Sequence, residues 1–114
     1  MIEIPLKSEG SALRTLSVNI SEVSLSIRIQ WNSRDMHWFA DLESVDGKNN
    51  GVRLVVGAPL LNAKNRCLKG GDLVVIKNKL ATTEPLGFDN LGSDYTLNYI
   101  NDEEREHLLD ILKG

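Results

Sequence analysis

The sequence predicts a mainly β protein: a small β-barrel-like domain of antiparallel strands with a short C-terminal helix. Three observations carry this. Gly, Asn and Asp cut the chain up to Ile100 into short pieces filled by Val and Ile, the composition of strands between turns. The string Val23-Ser24-Leu25-Ser26-Ile27-Arg28-Ile29-Gln30-Trp31 alternates apolar and polar residues without a break, which buries one face of a strand and wets the other. After Asn101 the period lengthens, and Leu108, Leu109, Ile111 and Leu112 crowd toward one side of a helix.

The elements follow in order. Beyond the polar break Asn32-Ser33-Arg34-Asp35, a second strand places Trp38, Ala40 and Leu42 on one face and His37, Phe39 and Asp41 on the other. The two strands form a hairpin whose register is fixed by burial, since a one-residue slip turns every apolar side chain outward. Pairing Trp31 with Trp38 also sets Ile29 against Ala40 and Ile27 against Leu42, so each inward residue meets another. The turn is even-numbered and centred on Arg34 and Asp35, with two or four loop residues, because Arg-Asp lacks the Gly or Asn of a tight primed turn.

A further turn is expected at Asp46-Gly47, with Lys48 to Gly51 as a polar tip before a strand from Val52 to Val56. Gly57-Ala58-Pro59 ends that strand. The stretch from Leu60 to Leu68 fits either a strand or a helical turn, and Gly70-Gly71-Asp72 leads into a strand from Leu73 to Ile76. Residues 77–93, with Pro85, Gly87 and Gly92, read as a loop longer than a bare connection needs, and Asp94 to Ile100 returns to alternation. The helix is expected over about 102–112: Asn101 and Glu104 have capping-box spacing, and Asp102, Glu103 and Glu104 put negative charge at the positive end of the dipole. A helix this short must dock, either on its own body or on another subunit.

Composition narrows the function classes. A chain of 114 residues, 41% hydrophobic, is expected to form a single domain over 1–114 that buries its own core, and one cysteine cannot staple it. The apolar runs are far shorter than the ~20 residues of a membrane span. The acidic opening Met1-Ile2-Glu3 lacks the pattern of a secretory signal, so the expectation is a soluble chain made in a reducing compartment, where the sequon Asn19-Ile20-Ser21 goes unglycosylated. A net charge of −3 argues against general nucleic-acid binding. That total hides an asymmetry: residues 1–82 carry 11 basic and 8 acidic groups, whereas residues 83–114 carry 2 and 8. The acidic end is either a solvated helix face or a surface oriented toward a basic partner.

Reaction chemistry finds little support. Cys67 has only His37 and His107 as possible bases, on a strand face and on the helix, and reads as an idle thiol. Glu103 and His107 have the four-residue helical spacing of metal ligands, but no cluster completes a shell. The loop Asp46 to Gly51 fails as a calcium loop, with Lys48 at its third position and Gly57 where a bidentate glutamate belongs. Gly70-Gly71 lacks the Lys-Ser or Lys-Thr of a phosphate loop. No cofactor, metal or catalytic residue is therefore expected. The competing function is a β-barrel module binding single-stranded nucleic acid or another ligand through exposed aromatics, with Trp31, Trp38 and Phe39 as candidates. The alternation favours core filling for both tryptophans.

The segment Trp31-Asn32-Ser33-Arg34-Asp35, followed by Trp38 and Asp41-Leu42, resembles the baseplate plug family of contractile-tailed bacteriophages. Ile4-Pro5-Leu6, Asp46-Gly47, Gly57-Ala58-Pro59-Leu60, Gly70-Gly71-Asp72-Leu73 and Asp89-Asn90-Leu91-Gly92 before Leu97-Asn98-Tyr99 extend the similarity over roughly residues 2–100. In that family an aromatic usually precedes the Gly-Gly pair, where this chain has Arg66-Cys67-Leu68. The resemblance implies a non-enzymatic virion protein of the tail baseplate, made in the bacterial host cytoplasm. It would sit centrally, where hub or spike meets the tail tube. The implied partners are hub and spike, tail tube, neighbouring baseplate subunits and copies of itself, with neither membrane nor nucleic acid favoured. Candidate interface residues are then Arg34 and Asp35 at the hairpin tip, Phe39 on its outward face, Leu86 and Phe88 in the long loop, and Leu108 and Leu112 on the helix. The residues expected to hold the framework are Trp31, Asn32, Ser33, Trp38, Gly57, Pro59, Gly70, Gly71 and Gly92.

Overall fold

A computed structural model describes residues 2–6, 12–20, 22–61, 67–68, 70–77 and 84–113, with side chains through Ile111. Among these residues the chain forms seven strands, β1 (Ile2–Ile4), β2 (Leu13–Ile20), β3 (Val23–Asn32), β4 (His37–Ser44), β5 (Gly47–Arg53), β6 (Gly71–Lys77) and β7 (Tyr95–Asn101), and one helix, α1 (Asp102–Lys113). The strands make two antiparallel sheets, in the orders β1-β7-β6 and β2-β3-β4-β5. The expected mainly β architecture with a C-terminal helix is what the chain adopts, but the sheets do not close into a barrel. Closure fails after Arg53, where the β4–β5 ladder ends. Gly57, with φ of +81°, and Pro59 then bend the chain across to the other sheet. There Gly57 N–H donates to Val75 O and Leu60 N–H to Leu73 O, both at 2.9 Å, so an irregular segment lies along the β6 edge in place of a strand.

One core lies between the sheets. Leu25, Ile27 and Ile29 from β3 and Trp38, Ala40 and Leu42 from β4 meet Leu73 and Val75 from β6, Leu97 and Tyr99 from β7, and Ile4 from β1. The hairpin has the expected register, with Trp31 opposite Trp38, Ile29 opposite Ala40 and Ile27 opposite Leu42. Its loop is the four-residue alternative, Ser33 to Met36.

Two readings of the sequence are corrected. Lys48 to Gly51 is not a turn tip but part of β5, because the turn is the tight pair Val45-Asp46, which sets Ser44 opposite Gly47 and Glu43 opposite Lys48. This edge strand alternates only weakly, and the following residues Val55 and Val56 are exposed where a strand to Val56 was expected. Residues 77–93 are not one loop from the start, since Lys77 closes β6. Residues 78–83 of that stretch and 62–66 of the open stretch 60–68 lie outside the described residues.

The helix begins as its sequence requires. Asn101 Oδ1 accepts the Glu104 N–H at 2.8 Å and Glu104 Oε1 accepts the Asn101 N–H at 3.1 Å, a reciprocal cap worth about 1 kcal/mol. Asp102 N–H donates to Gly70 O at 3.0 Å, pinning the first turn beside the start of β6. The helix therefore docks on its own sheet, over the face of β6 and β7 turned away from the core.

Candidate protein interface

Three regions gather the residues the sequence singles out. The first is an aromatic corner. Trp31 and Trp38 stand edge to face at 5.3 Å between ring centroids, and Phe88 stacks on Trp38 at 5.9 Å. The loop carrying Leu86 and Phe88 is tied down: Trp38 Nε1 donates to Gly87 O at 2.9 Å, Gly87 N–H to Asn90 Oδ1 at 2.8 Å, and Asn90 Nδ2 to Pro85 O at 2.9 Å. Leu86 and Phe88 are half-buried against the core. Arg14 of β2 places its guanidinium 4.9 Å from the Trp38 ring centre and donates to Leu91 O at 2.9 Å. A desolvated cation on a tryptophan face contributes about 2 kcal/mol. With Trp38 only 1% exposed and Phe39 on the opposite face of β4, the three rings proposed for stacking do not share one exposed surface.

The second region is the hairpin tip. Asn32 Oδ1 accepts the N–H groups of Arg34 at 3.0 Å and Asp35 at 3.3 Å, a side-chain turn that frees the Ser33, Arg34 and Asp35 side chains to solvent. Met36 closes the loop at φ +57° and is 62% exposed, an unusual backbone region for a large apolar side chain. Phe39 is half-buried in a depression of about 450 Å³ that also includes Arg28, Arg34 and Asp41. His37 at the start of β4 touches Arg53 at the end of β5.

The third region is the helix and the β6 start beneath it. Asp72 is fully buried and serves three elements: its Oδ1 accepts the N–H groups of Leu61 and Leu73, each at 2.7 Å, and its Oδ2 accepts from Arg105 Nε at 2.8 Å. Leu108 borders a groove on this side, whereas the Leu112 side chain lies outside the described residues. Gly70 takes φ +86° beside this junction, and Gly92 takes φ +97° where a β-carbon would stand 2.7 Å from Leu6 O.

The nucleophile and metal candidates stay apart. Cys67 is buried, and loss of solvent pushes its thiol up from 9.0 to about 11. Its backbone is tied on both sides: Cys67 N–H donates to Asn49 Oδ1 at 2.7 Å and Cys67 O accepts from Ser44 Oγ. No group of three His, Cys, Asp or Glu side chains converges among the described residues.

Arg14 and Asp72 are the anchoring residues the sequence reading passed over. A charged residue followed by the inward series Leu16, Val18 and Ile20 was the available signal for the first, and Asp directly before the Leu73 strand for the second.

Comparison with known proteins adds the remaining information. No curated protein matches the chain. The family described as cyanophage baseplate Pam3 plug gp18 matches residues 1–103, which takes in every strand and the first two residues of α1. Aromatic hairpin, Gly-Gly-Asp junction and Asn90-Leu91-Gly92 turn all fall inside that match, and the chain belongs to this family of phage baseplate plug proteins, β-rich structural components of the virion tail.

Proposed function

We propose that this protein is a non-enzymatic assembly part, a single domain over 1–114 installed centrally in the baseplate of a contractile tail, where hub or spike meets the tail tube. The observation that carries the reading is the family match across all seven strands. The placement of polar groups supports it. Asp72, Asn90 and Arg14 are used to hold loops and helix onto the sheets, while the hairpin tip from Ser33 to Met36 and the outer side of the helix are left exposed. Contacts to hub, spike, tube and further copies would then run through Arg34, Asp35 and Phe39 at one end, the outward parts of Leu86 and Phe88 beside them, and Leu108 with Leu112 on the helix.

The test is virion composition combined with depletion. Purified tails are expected to contain the chain at a fixed ratio to the hub, and its loss is expected to stop baseplates from maturing into complete tails. Tails that assemble and infect without it overturn the reading.

A further inference from the structure

Between α1 and the outward face of β6 and β7 runs an open groove of about 500 Å³. Val74, Ile76 and Ile100 line it with hydrocarbon, and Glu103, Glu104, His107 and Leu108 border it from the helix. A concave apolar surface of this size takes a few side chains. Its acid is Glu103, continued along the helix by exposed Glu106 and Asp110, whereas Glu104 is taken up by the Asn101 cap and the N-terminal ammonium. Arg105 does not offset that charge at the rim, because it turns beneath the helix to Asp72. The occupant that fits is an apolar side chain flanked by cations.

The same chain presents one. At the β3–β4 tip, Met36 is 62% exposed beside the exposed Arg34, and the Arg53 side chain stands against His37, the first residue of β4. Asp35, the tip's own carboxylate, lies against Asn32 Nδ2 at 3.4 Å. The unbranched thioether of methionine suits irregular apolar grooves, and guanidinium groups make charge-assisted pairs with carboxylates. The whole sequence is polarised in the same sense, 11 basic against 8 acidic groups in residues 1–82 and 2 against 8 in residues 83–114.

We infer that the hairpin tip of one copy seats in the helix groove of the next, Met36 lying against the half-buried Ile76 and Leu108 above the buried Val74 and Ile100 while Arg34 meets Glu103. Tip and groove are different surfaces, so the contact is head-to-tail and repeats from copy to copy. This inference deepens the assembly reading by naming a second copy as the occupant of the groove, and its test is separate from that reading.

Sedimentation velocity of the purified full chain, from micromolar to about 1 mM, reads the weak end of the affinity range. The wild type is expected to form dimers and larger species that dissociate as salt is raised. The tip variant Arg34→Glu and the groove variant Glu103→Arg alter exposed side chains, and each is expected to weaken self-association about tenfold or more. Mixed together the two reversals are expected to associate again, because every tip-to-groove contact between unlike partners then sets opposite charges against each other. Should either reversal lower the melting temperature, Arg34→Gln and Glu103→Gln carry the test: each alone is expected to weaken self-association, and their mixture, which retains one charged tip and one charged groove per pair, is expected to stop at dimers. A wild type that stays monomeric throughout, variants that associate like the parent, or a mixture that stays monomeric each overturn the inference. A monomeric chain that still enters tails overturns this inference alone, whereas a self-associating chain absent from tails overturns the baseplate reading alone.

Discussion

Arg105 of the C-terminal helix donates from Nε to Oδ2 of Asp72 at 2.8 Å, across a junction where the Asp72 side chain is fully buried and that of Arg105 is 16% exposed. The other carboxylate oxygen takes the Leu61 and Leu73 N–H groups. One side chain thus fastens the segment after Pro59, the start of β6 and the helix together. A helix of this length would fray in isolation. Its attachment rests on this pair, the Asn101 cap and the Asp102 bond to Gly70.

Replacing Arg105 by Met is expected to destabilise the chain by about 3 kcal/mol, because a buried carboxylate is left without its cation. Asp72→Ala is expected to cost more, since it also strands two buried N–H donors. Urea denaturation of both single variants and the double variant measures the coupling, which is expected to make the double loss smaller than the sum by about 1 to 3 kcal/mol. Additive losses would mean that the helix is held by its cap and packing alone.

The tryptophan pair is not energetically symmetric, although the sequence pattern treats the two alike. Trp38 is buried, donates to Gly87 O, carries Arg14 over its ring and stacks on Phe88. Trp31 is half-buried. Trp38→Ala is expected to cost about 3 to 5 kcal/mol and Trp31→Ala about half as much. Thermal and urea melts decide this. Variants that melt like the parent while losing affinity for single-stranded nucleic acid would restore the stacking reading.

Legibility followed periodicity. The β3–β4 hairpin was readable to the residue because nine consecutive positions, Val23 to Trp31, alternate cleanly, and burial then leaves one register. The helix start was readable because its cap is local. β2 escaped notice because Arg14 occupies an inward position that a pattern search expects to be apolar, and the Trp38 ring and Leu91 carbonyl that receive it there are distant in sequence. β5 escaped because an exposed edge strand has little apolar rhythm to show. The groove could not be read at all, since it depends on which sheet face the helix covers, and no local signal specifies that.

Cys67 gives the chain an alkaline limit. Its folded thiol titrates near 11 rather than 9.0, so above pH 9 the unfolded chain releases a proton that the folded chain retains, and stability falls as pH rises. The loss spreads between the two values and amounts to about 3 kcal/mol. Urea midpoints at both ends of that window are expected to show this decline in the parent and a shallower one in Cys67→Ala. Thiol labelling of the folded parent is expected to be slow across the same range, because the sulfur is both neutral and buried. Rapid labelling in native buffer would contradict the burial.

Adjacent glycines at the β6 start serve unlike purposes, which makes them separable. Gly70 takes φ +86° with open space around its α-carbon, so its requirement is conformational. Gly70→Ala is expected to cost about 1 kcal/mol, and Gly70→Asn less, because Asn adopts the left-handed region more readily. Gly71 lies in the strand, and a β-carbon there would stand 2.4 Å from Tyr99 Cε2 and 2.7 Å from Ile100 O. Its requirement is space. One of those neighbours is backbone of the partner strand, so the ladder itself must move to admit a methyl group, and Gly71→Ala is expected to cost about 2 to 3 kcal/mol. Tyr99→Leu in the same chain removes the ring but not the carbonyl, and is expected to recover only part of that loss. Thermal melts of the four variants settle the ranking: equal costs at the two glycines would mean that Tyr99 does not pack across the strand, and full recovery by Tyr99→Leu would mean that the Ile100 carbonyl is not the obstacle.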